Sequence, residues 1–108
     1  MKELIERLSA CMMSEYERAA AIHGPRFNSP HEAYGVIKEE LDEVRDEFNT
    51  NMYLAHIGFW NSVKSNYPTD EEAKEIIEAA LHTAAELIQV AAMAHKATLG
   101  YIVNNECK

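Results

Sequence analysis

The sequence predicts an all-α fold. Apolar residues recur at spacings of three and four through most of the chain, helix-start signals stand at two internal positions, and strand-like alternation is nearly absent.

The first helix is expected over about Lys2 to Ile22. Leu4, Ile5, Leu8, Cys11, Met12 and Tyr16 share helical spacing, and Gly24-Pro25 ends the run. Ser29-Pro30-His31-Glu32 reads as the next start. Ser29 stands at the N-cap, Pro30 at the first helical position where its missing N–H is harmless, and Glu32 closes a capping box. This second helix runs from about Pro30 to Phe48 and stops in Asn49-Thr50-Asn51. A shorter helix, about Met52 to Lys64, carries Tyr53, Ile57, Trp60 and Val63 on one side, and Asn66-Tyr67-Pro68 breaks the chain. Thr69-Asp70-Glu71-Glu72 repeats the capping signal and launches a long helix to about Thr98, with Gly100 near its C-terminal end. That last helix is apolar around most of its circumference, through Ile76, Ile77, Leu81, Leu87, Ile88, Val90, Met93 and many alanines. Such a helix is expected to be buried on several sides.

No linker, repeat or low-complexity tract divides the 108 residues, so residues 1–108 are expected to form a single domain. A helical domain this small gains from oligomerising. With 18 acidic against 10 basic residues the net charge is −8, which argues against a nucleic-acid polymer or an anionic membrane as partner. No uninterrupted apolar run approaches a membrane span, and the start of the chain lacks a signal-peptide core. Cys11 and Cys107 have no metal-site spacing. Cys11 is expected to be buried, Cys107 to lie in a frayed tail, and the setting to be reducing and cytoplasmic.

The second helix carries the chemistry. Six acids fall between Glu39 and Glu47. At about 100° per residue, Ile37, Leu41, Val44 and Phe48 form an apolar stripe, with Glu40, Glu43 and Glu47 on the strip beside it. Glu39, Asp42 and Asp46 lie on the far side, as a solvated face would. Carboxylates crowded at the edge of a buried stripe need compensation. Two charges about 4 Å apart at an effective dielectric of about 20 repel by about 4 kcal/mol. A hard divalent cation with oxygen ligands, such as Mg2+, relieves that repulsion. The long helix offers a matching polar strip of Glu75, Glu78, His82, Glu86 and Gln89. Two such strips facing one another would enclose an acidic pocket, a common way for helices to build metal sites.

Glu39-Glu40-Leu41-Asp42-Glu43 resembles the Glu-Glu-x-x-Glu motif of MazG-like nucleotide pyrophosphohydrolases, in the all-α NTP pyrophosphatase superfamily that includes dimeric dUTPases. The likeness covers roughly Pro30 to Lys96, including the long alanine-rich helix downstream. It implies a four- to five-helix bundle completed by homo-oligomerisation, as a dimer or tetramer, and Mg2+-dependent (possibly Mn2+-dependent) hydrolysis of a nucleoside triphosphate to the monophosphate and pyrophosphate. The chain departs from the family at the second motif, Glu-x-x-Asp. Thr83-Ala84-Ala85-Glu86 stands there, so Glu86 takes the aspartate's place and Thr83 that of the glutamate. Glu75-Ile76-Ile77-Glu78 is an alternative reading of the same spacing.

The resemblance implies that Glu40, Glu43 and Glu86 hold the metal, with His82 and Gln89 supporting them, and that Glu39 or Glu43 orients or deprotonates the attacking water. Lys64 or Lys96 would touch phosphate, and Trp60 or Phe59 would stack on a base. Two other classes are compatible with the residues. One is a non-catalytic helical assembly protein that has lost the complete metal site, which Thr83 favours. The other is a carboxylate-bridged di-iron bundle, disfavoured because His82 follows Glu78 by four residues where Glu-x-x-His needs three.

Overall fold

A computed structural model describes residues 1–102. Within them lie α1 (Lys2–His23), α2 (Pro30–Glu47), a π-helical segment (Phe48–Met52), α3 (Tyr53–Lys64) and α4 (Asp70–Thr98). The all-α expectation holds for the described residues, where the extended pairing is an isolated bridge between Phe27 and Tyr101. Cys107 lies outside them. By contacts the chain divides into two compact units, Met1–Leu41 with Ile88–Lys108, and Asp42–Leu87. α2 and α4 each contribute to both, which is why no linker marks the division in the sequence.

In the first unit a small core forms from Tyr16, Phe27, Ala33, Ala92 and Met93, with Met12, Met13, Val36, Ile37 and Tyr101 packed against it. Gly24 ends α1 at φ 92°, a conformation that suits glycine, and donates its N–H to the Ala20 carbonyl at 2.8 Å. The turn that follows is tied twice. The Tyr16 hydroxyl donates to the Pro25 carbonyl at 2.7 Å, and the Ile102 N–H donates to the Phe27 carbonyl at 2.9 Å. At the start of α2 the Ser29 hydroxyl accepts the Glu32 N–H at 3.1 Å, one half of the expected capping box. The Glu32 carboxylate takes the Asn28 N–H at 2.7 Å rather than returning to Ser29. Cys11 is exposed, a correction to the expected buried thiol: α1 turns that position away from the core.

In the second unit the buried residues are small: Ala55, Ser62, Ala79 and Thr83. Small side chains let α3 and α4 come close, and a Cβ added at Gly58 would sit 3.9 Å from Glu72 Cγ. α3 ends in a Schellman turn. Asn66 adopts φ 57°, its N–H reaches the Val63 carbonyl at 3.2 Å, and the Tyr67 N–H reaches Ser62 at 2.9 Å.

Further expectations need correcting. The Asn49-Thr50-Asn51 stop does not occur: with neither glycine nor proline there, the chain stays helical through a wider π turn into α3. The long helix is not covered on all sides by its own chain. Ala92 and Met93 are buried, but Ile77, Leu81 and Leu87 are exposed, as are Tyr53 and Trp60 of α3. By length and composition α4 is apolar enough to cross a membrane, which counting uninterrupted apolar runs did not anticipate.

Candidate metal centre in the second unit

The site is built on the last turns of α2, the π segment and the first half of α4. Glu47 has only 10 % of its side chain exposed. One carboxylate oxygen meets His82 Nδ1 at 2.9 Å, and the other accepts the Asn51 amide at 2.8 Å. The Asn51 hydrogen bond, then the His82 contact, hold the Glu47 carboxyl below its ordinary value. Asn51 sits in the π segment, four residues after Glu47. π turns of this kind are frequent at functional sites.

Glu86 is half-buried on α4, one turn after His82. Glu47, His82 and Glu86 can each present a ligand atom within 4.8 Å of the other two, and the Glu43 and Glu86 oxygens can approach equally closely. Burial first, and then the Glu43 carboxylate, push the Glu86 carboxyl above its ordinary value. Among the described residues no lysine or arginine ion-pairs with Glu43, Glu47 or Glu86. Three carboxylates and one imidazole thus crowd together without a lysine or arginine among them. Carboxylate oxygens are the donors that Mg2+ and Mn2+ take, so the three acids fit a divalent cation.

Beside the cluster lies a cavity of about 530 Å3, lined by Glu47, Asn51, Glu75, Glu78 and His82 with Leu54, Ala55 and Ala79. Its volume falls within the range of small-molecule sites. Its polar wall is acidic, so an anionic ligand would enter it more readily together with a cation.

The remaining sequence-derived candidates lie on several elements. Glu40, one turn before Glu43 on α2, is half-buried and lines a cavity of the first unit. Glu39 is exposed. Gln89, expected beside the ligands, gives its side-chain amide to Glu15 in the first unit. Lys64 and Trp60 are exposed on α3, with the ammonium 5.8 Å from the ring centroid, while Phe59 is half-buried. Lys96 is buried in the first unit over the Phe27 ring. Thr83 is buried and donates its hydroxyl to the Ala79 carbonyl at 2.8 Å, so its own helix satisfies it.

Glu47 and Asn51 were not among the sequence-derived ligands. The signal for Glu47 was present, since it continues the Glu40, Glu43 strip at i+4. Asn51 was hidden by being read as part of a helix stop. No family model, curated protein or solved structure matches this chain.

Proposed function

We propose that the protein is a cytoplasmic, divalent-metal-dependent nucleotide pyrophosphohydrolase of MazG-like type, a hydrolase acting on a nucleoside triphosphate. The observation that carries the reading is the convergence of Glu43, Glu47, Glu86 and His82 from two helices, with no lysine or arginine ion-paired to these acids among the described residues. Glu47 supplies an acid where Thr83 withholds the family's glutamate, and this supports a complete ligand set. Glu43, Glu47 and Glu86 would hold the cation, and Glu40, a turn earlier on α2, belongs to the set the motif implies. His82 holds the Glu47 carboxylate through Nδ1, and Asn51 fixes its other oxygen.

A Mg2+ ion held by these carboxylates would supply charge neutralisation for the triphosphate oxygens. In the reaction a water oxygen bonds to the α-phosphorus, the bond from that phosphorus to the bridging oxygen breaks, and pyrophosphate leaves. The water's proton goes to a carboxylate. Glu43, exposed at the edge of the cluster, suits that role better than Glu39 on the solvated face of α2. Trp60, with Lys64 over its ring, offers an exposed stacking and phosphate-binding surface for the nucleotide.

A homo-oligomer is part of the proposal. Ile77, Leu81 and Leu87 on α4 are exposed, and among the described residues no large side chain is fully buried. A second copy would cover such apolar faces. The exposed Cys11 thiol is compatible with a reducing cytoplasm. The test is a panel of nucleoside triphosphates assayed for pyrophosphate with Mg2+ or Mn2+. At least one nucleotide should turn over, and Glu43→Gln should abolish turnover without unfolding the protein. A wholly negative panel would favour a second reading, a helical assembly protein. The self-satisfied Thr83 hydroxyl and the exposed apolar faces support that alternative.

A further inference from the structure

The first unit holds a cavity of about 490 Å3 that, unlike the acidic one, includes lysine and arginine in its lining. Its cations are Arg18, Arg26 and Lys96, in a chain of net charge −8. Lys96 is only 4 % exposed. Its ammonium stands 4.4 Å from the centroid of the Phe27 ring, itself 3 % exposed, and no carboxylate among the described residues ion-pairs with it. Lysines are almost never buried this far without an ionic partner. A cation–π contact returns only part of what an ammonium loses on leaving water.

The other charges around the cavity are accounted for differently. Arg18 is held by Glu15 at 2.9 Å, and the Glu32 carboxylate by the Asn28 N–H at 2.7 Å. Glu40 has an interaction of its own. Arg26 is exposed and, like Lys96, takes part in no ion pair among the described residues. Ile22, Phe27, Val36, Met93 and Ile102 supply apolar wall. A volume in the range of ligand sites, an apolar wall on part of the lining and a few convergent charges are attributes of a small-molecule pocket.

We propose that this cavity binds a small organic anion, with a compact apolar body against Phe27 and Met93 and a phosphate or carboxylate head paired with Lys96 and Arg26. The site lies wholly within the first unit and does not depend on the metal reading. An anionic head completes the ion pair that the buried ammonium lacks, and the guanidinium can engage either head in two-pronged fashion.

Calorimetry and amide-shift mapping of the metal-free full chain, with phenyl phosphate, benzoate and inorganic phosphate as probes, test this. EDTA keeps the outcome separate from that at the acidic cluster. Phenyl phosphate or benzoate should bind with a dissociation constant of about 1 mM or tighter, and more tightly than inorganic phosphate. The shifts should centre on Phe27 and Lys96. The tighter of the two aromatic probes identifies the preferred head. Lys96→Met, which keeps the stem and removes the charge, should weaken binding about tenfold or more. The surface variant Arg26→Gln, which leaves the core intact, should weaken it about threefold or more. Absence of binding by both aromatic probes at millimolar concentration, or affinities unmoved by Arg26→Gln and Lys96→Met, would overturn the proposal.

Discussion

The two units solve different problems with similar helices. The first gathers Tyr16, Phe27, Met93 and two alanines into an apolar core and ties its loops back with hydrogen bonds. The second buries only Ala55, Ser62, Ala79 and Thr83, and turns its enclosed volume over to acids. Burial of large apolar groups is what stabilises a small domain. The first unit therefore anchors the fold, while the second gives up apolar core where α2 and α4 bring carboxylates together.

The contrast predicts where mutations hurt most. Phe27→Ala should cost about 3–5 kcal/mol in chemical denaturation. Ala55→Gly, at a buried site of the second unit, should cost only about 1 kcal/mol. Similar costs at the two sites would break the comparison.

Metal affinity should divide along the same line. Glu86→Gln should weaken Mn2+ binding about tenfold or more by calorimetry, since even groups that merely support ligands are worth that much. Glu15→Gln in the first unit should leave it unchanged.

The pH response should differ in sign. The Glu86 carboxyl lies above its ordinary 4.5, so its contribution to stability is present below that value and is lost as pH rises through the folded value. Glu15 lies below 4.5, held chiefly by its hydrogen bond from Arg18 and then by Gln89, so its contribution is present above 4.5 and lost as pH falls through the folded value. In metal-free protein, Glu86→Gln should flatten the loss of stability on raising pH above 4.5, and Glu15→Gln should flatten the loss on acidification. Denaturation midpoints across that range check both.

The smallest effect concerns the helix cap. Ser29→Ala removes the acceptor for the Glu32 N–H and should cost about 1 kcal/mol by thermal unfolding.

The helices were largely legible in the sequence because their punctuation is local. Gly24, Ser29-Pro30 and the Asn66-Tyr67-Pro68 break act within a few residues, and observed and expected ends agree closely. The π segment was not legible. Asn49 to Asn51 resembles a stop, and only the bond from Asn51 to Glu47 reveals a turn that continues. The pairing of Glu43 with Glu86 could be anticipated from two acidic strips on apolar helices. The destination of Gln89 could not, because Glu15 approaches it from α1, a helix whose acids carry no comparable strip. Burial was hardest to foresee. Lys96 sits among alanines in sequence and reads as a helix-end cation, yet the turn carrying Phe27 covers it.

The central claim is that the acids of α2 and α4 form one divalent-cation site. Calorimetric titration of Mg2+ and Mn2+ into the wild-type protein, repeated with Glu47→Gln/Glu86→Gln, tests it most directly. Saturable binding by the wild type that disappears in the double variant is the predicted result. No binding at millimolar metal, or binding that survives the double substitution, would contradict it.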